Sequence, residues 1–283
     1  MRESMHLTIV LLLIVGMATV TARADVLVDD DSSEAQLMGF YAAALSFTPV
    51  GCQPGPRIEA GIETAYLPSL DEEDRQTTFA GAKLQNTNFT HVLARVRARW
   101  RPRGNWLLEA AAFPETEVRG VTPDMYALST ASRIVSRPGG LDLWMRGHYL
   151  KADIEGPITC PEEAIEDPAN SVCFGGQISS DHFRPEAYGL DVILGGPRLF
   201  ADSVAWYAAA GYRHETLRFE THFVNMFGRL DDQRLVARLD RGSILGGVTW
   251  TPTDGLRVTL EGSYAPDALV TGRVGIGYGW GAR

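Results

Sequence analysis

The sequence predicts an all-β fold: an antiparallel, up-and-down transmembrane β-barrel of about ten strands, preceded by a short helical segment. Three observations predict it. Apolar and polar residues alternate with period two along most of the chain from residue 57 onwards. The links between the alternating segments are short and long in turn, and aromatic residues gather beside the short links.

The alternation is clearest between residues 91 and 101. One face of this segment carries Val92, Ala94, Val96, Ala98 and Trp100, and the other carries Arg95, Arg97, Arg99 and Arg101. A helix would spread the arginines around its circumference, whereas successive side chains of a strand point to opposite faces. The segment is therefore predicted to be a strand with one apolar and one basic face.

Nine other segments complete the set of strands. Seven show a clear split between two faces, namely 57–67, 106–112, 142–149, 188–194, 206–213, 256–264 and 273–280. Two show it more weakly, namely 125–135 and 235–251. The resulting number of strands is even, as is usual for single-chain barrels of the bacterial outer membrane.

The links between these segments differ in length in a regular way. After even-numbered strands they are short, at 101–105, 136–140, 195–203 and 252–255. After odd-numbered strands they are mostly longer, at 68–90, 114–124, 155–183 and 223–234, whereas 266–268 is short. Outer-membrane barrels typically have short turns on the periplasmic rim and long loops on the outer rim. A barrel with an even number of strands then begins and ends on the periplasmic side.

The aromatic residues also favour a membrane position. Trp100 and Trp106 flank one short turn, Trp250 precedes another, and Tyr278 and Trp280 lie in the last strand. This placement is typical of the periplasmic aromatic girdle of a membrane barrel. The alternative is that Trp and Tyr are here because strands favour them.

From Arg57 to its last residue the chain resembles the bacterial outer-membrane β-barrel proteins. The resemblance is architectural and includes no motif of a particular family. It implies a location in the bacterial outer membrane, with lipid as the surrounding partner. One departure is the last strand, because many such proteins end on an aromatic residue whereas this chain continues from Trp280 to Arg283.

The beginning of the chain predicts export. Arg2, an apolar run at 7–15 and the small-residue site Ala22-Arg23-Ala24 form the pattern of a signal peptide over residues 1–24. We expect cleavage after this site, and a retained N-terminal anchor is the alternative. Residues 25–56 then form an N-terminal segment, and residues 57–283 form the barrel.

The N-terminal segment contains a predicted helix. Residues 33–47 do not alternate, and their apolar residues fit a short amphipathic helix with Ser32 or Ser33 as its N-cap. Its apolar face would carry Leu37, Met38, Tyr41, Ala44 and Leu45. The sequence leaves three positions open for it: inside the lumen, against the rim, or in the periplasm.

Composition limits the partners. The net charge of −9 argues against nucleic acid. The basic residues are almost all Arg, which indicates either recognition of anions or a GC-rich genome. Glycine-rich pieces lack the strand-to-helix context of a phosphate loop, so we expect no cofactor.

The three cysteines predict one disulfide. Cys160 and Cys173 flank an acidic, proline-containing segment that is typical of a loop, and we expect them to form a disulfide that closes it. Their spacing does not fit a metal site, and no His lies between them, so no metal is predicted. Cys52 is left over, and the sequence does not indicate its role.

The inward face of the predicted barrel is charged. Its candidate charge network consists of Glu59, Glu63, Arg95, Arg97, Arg99, Glu109, Asp142, Arg146, Asp191 and Arg213, with Glu261 on the same face. One interpretation is a salt-bridge network that fills a narrow lumen, because an unpaired buried charge is costly. The other is an arginine-lined constriction that selects small anionic solutes.

The leading functional prediction is a monomeric outer-membrane barrel with a structural or narrow channel-like role. A second hypothesis is an outer-membrane hydrolase with a site at the rim, similar to the omptin proteases in architecture alone. Its candidate residues are Asp181, His182, Ser179, Ser180, His91 and the acidic run 71–74. No recognised catalytic spacing connects them, so no catalytic residue is assigned. A third hypothesis is a soluble exported β-protein.

Overall fold

Ten antiparallel strands close into a barrel, as the sequence predicts. The computed structural model describes residues 26–29, 32–48, 55–66, 78–79, 82–83, 92–113, 122–137, 140–197, 203–228, 230–265 and 268–281. Each barrel strand pairs with its neighbours along the chain, and the first and last barrel strands also pair with each other.

The barrel strands are β2 (Ile58–Tyr66), β5 (Val92–Trp100), β6 (Trp106–Ala112), β7 (Thr122–Ser136), β8 (Asp142–Gly156), β9 (Asp181–Pro197), β10 (Val204–Val224), β11 (Leu230–Trp250), β12 (Leu256–Ala265) and β13 (Ala268–Trp280). Three short strands were not predicted, namely β1 (Val26–Leu27), β3 (Thr78–Phe79) and β4 (Ala82–Lys83). The helices are α1 (Ser33–Leu45) and α2 (Glu162–Glu166). Among these described elements, no helix is both long and apolar enough to cross a membrane.

The barrel has a tall wall and a low wall. We call the rim with the links 101–105 and 251–255 the turn end, and the rim with residues 157–180 the loop end. Strands β7 to β11 form the tall wall, and β10 and β11 each have 21 residues. Strands β2, β5, β6, β12 and β13 form the low wall, in which β6 has seven residues. The tall strands extend well beyond their predicted bounds at the loop end.

A band of apolar side chains surrounds the lower part of the barrel. Ile62, Leu190 and Ile276 are each more than half exposed on its outer surface. The predicted girdle residues Trp100, Trp106, Trp250, Tyr278 and Trp280 all point outward at the turn end. A second aromatic row, which the sequence reasoning missed, closes the band toward the loop end and comprises Tyr66, Tyr126, Tyr188, Tyr212 and Tyr264.

The two aromatic rows are separated by a membrane-like distance. On β2, eight residue steps lead from Ile58, which pairs with Trp280, to Tyr66. At about 3.3 Å per residue this is about 26 Å along the strand, and about 20 Å across the membrane at a tilt of about 40°. Outer-membrane barrels have an apolar band of about 25 Å, so the surface has suitable dimensions for a bilayer.

Helix α1 lies inside the lumen, which resolves the three positions left open by the sequence. Its N-cap is Ser32, whose hydroxyl accepts a hydrogen bond from the amide of Ala35 at 3.1 Å. The helix ends at Leu45, two residues before its predicted end. Its buried side chains pack against inward-facing residues of β6 to β11.

The predicted disulfide is present at the loop end. Cys160 and Cys173 are bonded, and they bury a small cluster with Ala164 of α2. The segment that follows Cys173 runs beside the end of β10, because the amide of Gln177 donates to the carbonyl of Val224 at 2.9 Å. Cys52 lies outside the described residues.

Candidate functional site

An ion network crosses the middle of the lumen. It begins where β2 pairs with β5, because the register sets Glu63 opposite Arg95 and Glu59 opposite Arg99 on inward positions. The Glu63 carboxylate pairs with Arg95 and, at 2.6 Å, with Nη1 of Arg97. Arg99 Nη1 lies 3.6 Å from Glu59. The cross-strand register thus brings acids and bases together without any loop.

Glu109 is the centre of this network. Its two carboxylate oxygens accept hydrogen bonds from Arg97 and Arg99 at 2.9 Å, from Arg146 at 3.2 Å and from the hydroxyl of Ser129 at 2.7 Å. These donors come from β5, β7 and β8, so one carboxylate on β6 connects four neighbouring strands. The side chain is fully buried, and such a charge is tolerated only because its oxygens are paired.

Three further contacts carry the network around the wall. Arg146 also binds Asp191 of β9 at 2.8 Å. Across the lumen, Arg273 of β13 binds Glu261 of β12 at 3.2 Å and approaches Glu63 to 3.8 Å. The network therefore reaches from β9 through β5 to β12.

The structure joins eight of the ten predicted lumen residues in this network: Glu59, Glu63, Arg95, Arg97, Arg99, Glu109, Arg146 and Asp191. The other two pair elsewhere. Asp142 lies 3.4 Å from Arg133 near the turn end, and Arg213 lies 2.5 Å from Glu215 toward the loop end.

Two network arginines lie on the polar faces of predicted strands but were not included in the predicted charge network. Arg273 pairs with Glu261, and Arg257 binds Glu59 at 2.9 Å. Both occupy inward positions of predicted strands, and the next residue of each strand, Val274 or Val258, lies on the outer face. Period-two alternation alone therefore assigns both arginines to the lumen.

The arginines also hold the end of helix α1. Arg95 Nη1 donates to the carbonyl oxygens of Leu45 (3.2 Å) and Ser46 (3.0 Å), Arg97 Nη2 to that of Thr48 (2.9 Å), Arg146 Nη1 to that of Phe47 (3.0 Å) and Arg273 Nη2 to that of Ala43 (3.3 Å). The last carbonyls of a helix lack partners within the helix and carry its negative dipole end. Arg95 and Arg273 supply donors to carbonyls of this last turn, Arg97 and Arg146 bind the two residues after the C-cap, and all four add a complementary charge. We call this set the arginine clamp: Arg95, Arg97, Arg146 and Arg273.

The ring of Phe47 lies among three members of the clamp. The guanidinium carbons of Arg95, Arg97 and Arg146 lie 5.5, 4.8 and 4.6 Å from its centroid. Cation–π attraction at such distances adds to the hydrogen bonds, particularly where water is excluded. The clamp therefore binds both the backbone and a side chain of this segment.

Above the clamp, toward the loop end, the lumen is apolar. Met38 and Leu45 of α1 are fully buried against inward side chains such as Met125, Leu217 and Phe219. Gly39 allows a close approach to the wall, because a Cβ atom there would lie 1.9 Å from Nη2 of Arg241. The helix therefore fits against this wall in detail.

Below the clamp, toward the turn end, a second apolar cluster fills the lumen: Leu107, Ala131, Trp144, Ile193, Tyr207, Ala209 and Leu245. The guanidinium groups of Arg101 and Arg133 each lie 5.8 Å from the Trp144 ring. The hydroxyl of Tyr207 donates to Glu261 at 2.7 Å, which links this cluster to the ion network. The lumen is thus occupied at three successive levels.

The rim residues considered for a hydrolase do not form a catalytic pair. Asp181 is buried and accepts hydrogen bonds from Ser179 and from the amides of Thr159 and His222. His182 points to the opposite side of the wall, where its Nδ1 lies 2.9 Å from Asp153. Asp181 lies beyond the tyrosine row, and burial raises the pKa of its carboxyl above the ordinary value despite these hydrogen bonds.

Other predicted rim residues are not described by the structure. His91 and the acidic run 71–74 lie outside the described residues. Ser180 donates to Glu155 at 3.4 Å and is exposed. Among the side chains that the structure describes, no group of three or more His, Cys, Asp or Glu residues is placed to hold a metal ion.

Comparisons with known proteins concern the fold. No family model and no curated protein matches the sequence. The translocator domain of the autotransporter NalP from Neisseria meningitidis is similar in structure, with 11% identity, a TM-score of 0.42, and coverage of 88% of this chain and 96% of that one. The outer-membrane protease OmpT from Escherichia coli has 10% identity and a TM-score of 0.41, with 79% and 96% covered.

A third similar structure is the toluene transporter TbuX from Ralstonia pickettii, with 9% identity, a TM-score of 0.29, and 84% and 93% of the two chains covered. These three proteins share an architecture and differ in role, so their activities do not transfer to this chain. The chain has the outer-membrane β-barrel fold that its sequence pattern predicts.

Proposed function

We propose that this protein is a sealed outer-membrane barrel, in which helix α1 and the ion network close the lumen to solutes. The observation that carries the proposal is the arginine clamp. It comes from β5, β8 and β13, strands on different sides of the barrel, and it converges on the end of one helix. A segment held by at least five charge-assisted hydrogen bonds acts as a structural part of the barrel.

The outer surface supports the membrane part of this proposal. Its apolar band would be unfavourable in water, because contiguous apolar patches of this extent are rare on soluble monomers. Two aromatic rows flank the band, as at the two interfaces of a bilayer. The protein should therefore require detergent for extraction, and release by salt alone would favour the soluble alternative.

A channel-like role is the second candidate, and it depends on α1. Without residues 26–48, the four clamp arginines would lose their carbonyl partners and face the emptied part of the lumen, while keeping their carboxylate partners on the barrel strands. A narrow path lined by such groups favours anions. The same residues that seal the barrel would then select the solute, and a small anion is the class that they fit.

Single-channel conductance in a planar bilayer tests both candidates. We expect no conductance steps from the intact protein, and the channel-like role further predicts steps with anion preference from a variant that lacks residues 26–48. A gel shift on heating shows that each variant is folded. Adding Arg95→Gln and Arg97→Gln to the deletion should reduce the anion preference, whereas Arg184→Gln on the outer surface is the matched control and should leave it unchanged.

The outcomes separate the candidates. If the intact protein gave conductance steps of the same size as the variant that lacks residues 26–48, α1 would not seal the lumen. Silence from a folded deletion variant would contradict the channel-like role, because the ion network and the apolar cluster below it would then close the lumen without the helix.

A further inference from the structure

The first described residues lie at the loop end of the barrel. Val26 pairs with Leu235 and Leu27 with Val236, in a parallel ladder on β11. Val28 adds a hydrogen bond from its amide to the carbonyl of Val236 at 2.9 Å. Leu235 is 15 residues from Trp250 at the turn end of the same strand, or about 50 Å along it.

Strand β11 offers an edge for this contact. It pairs with β12 over Ile244–Trp250, nearer the turn end. The edge beyond this ladder, toward the loop end, is where β1 adds its two residues. An edge with unpaired backbone groups is a ready site for another strand, so this position of the N-terminal segment has a physical cause.

From β1 the chain descends through the lumen. Tyr41 of α1 contacts the ring of Phe183, near the loop end of β9, with the centroids 6.2 Å apart. Seven residues later, Thr48 binds Arg97 and Arg273 in the middle of the barrel. Arg57 then accepts a hydrogen bond from the amide of Arg101 at the turn end, at 2.8 Å.

The described N-terminal segment therefore runs from the loop end to the turn end. A plug that entered the lumen from the periplasm would have its first residues at the turn end instead. Both ends of the ten-strand barrel, Ile58 and Trp280, lie at the turn end. Val26 lies at the other end, and the polypeptide passes through the lumen before the first barrel strand begins. Whatever sequence precedes Val26 must connect to it at the loop end.

We infer that this barrel presents its N-terminal segment on the external surface of the cell. The inference rests on the proposed function, because it takes the turn end to be periplasmic. With cleavage after Ala24, as the sequence predicts, the free amino group would be that of Asp25, one residue before Val26. The barrel would then act as an anchor for an externally displayed N-terminus, and the arginine clamp would hold the displayed segment in place.

Cysteine labelling on intact cells tests this topology. In a Cys52→Ser background, three single substitutions place a thiol at exposed positions: Leu27→Cys in β1, Phe227→Cys at the loop end and Gly104→Cys at the turn end. The probe is a membrane-impermeant maleimide, and labelling after permeabilisation gives the total. A gel shift on heating shows that each variant folds.

We expect Leu27→Cys and Phe227→Cys to be labelled on intact cells to a similar fraction, at least tenfold above Gly104→Cys. Labelling of Phe227→Cys without Leu27→Cys would overturn the inference and leave the membrane placement intact. If Gly104→Cys were labelled and Phe227→Cys were not, or if neither were labelled, the proposed placement of the loop end outside the cell would be wrong. The two failures are therefore distinguishable.

Discussion

The tall strands have two parts, and the polarity of their inward and outward faces is reversed between the two. In the band between the aromatic rows, β9 turns Leu190 and Val192 outward and Asp191 into the lumen. Beyond the tyrosine row, the same strand turns Arg184 outward and Phe183 inward. The first part faces lipid outside and ions inside, and the second faces water outside and helix α1 inside.

This inversion shows that the middle and upper levels of the lumen are filled by two different means. Its middle level is closed by charges on the barrel strands themselves, whereas its upper level is closed by an independent piece of the chain. The middle level belongs to the barrel strands, so we expect it to persist for as long as those strands stay paired. The upper level depends on a docked helix, which can be weakened without disturbing the strands.

Among the changes that test this division into two levels, Glu109→Gln is expected to lower the free energy of unfolding most. The change leaves Arg97, Arg99 and Arg146 buried without their shared carboxylate, and breaking such a group costs about 3–5 kcal/mol of unfolding free energy. Unfolding in urea, followed by tryptophan fluorescence and by the gel shift, measures the loss. Asp240→Asn removes an exposed partner of His214, so this control should change stability far less than Glu109→Gln does. Equal losses in both variants would show that the network does not hold the barrel.

A smaller and more local effect is expected from Leu45→Ala. Leu45 is fully buried in the upper level, and truncating such a residue costs about 2–5 kcal/mol. The loss should weaken the docking of α1 and leave the barrel strands intact. Hydrogen exchange should therefore accelerate in residues 35–47 and remain unchanged in β2 and β13.

Leu260→Ala is the matched control for this prediction. Leu260 lies on the outer face of β12 and is half exposed, so its truncation should leave the exchange of α1 unchanged. Faster exchange throughout the barrel in Leu45→Ala would show that helix and strands unfold as one unit, and the division into two levels would then be wrong.

The contrast also explains how much the sequence could predict. Within the band, lipid and lumen impose opposite polarities on successive residues, so all ten strands were found and eight predicted charges lie in one network. Above the band, β10 continues for eleven residues past Arg213. There the inward positions carry apolar residues, Leu217 and Phe219, where the band has charged ones. The predicted strand ended where this inversion begins.

The position of helix α1 could not be read from its own sequence. Its residues are apolar around most of the circumference, because positions 37–45, LMGFYAAAL, contain no charged side chain, and such a helix indicates burial without a direction. A signal for the lumen did exist in the strands, since apolar inward residues beyond the tyrosine row require an apolar partner. The clamp depends on carbonyl groups and therefore leaves no trace in the side-chain pattern.

The smallest effect is expected at the start of α1, farthest from the arginine clamp. Ser32→Ala removes the hydroxyl that accepts from the amide of Ala35 and donates to the carbonyl of Asp29. Loss of an N-cap costs about 1 kcal/mol, so hydrogen exchange should accelerate in the first turn alone. Ser32→Asp keeps a capping oxygen and adds a charge that suits the positive end of the helix dipole, so it should restore protection. If Ser32→Ala instead released residues 45–48, the cap and the clamp would act together, and the upper level would be a single cooperative unit that the barrel holds at both ends.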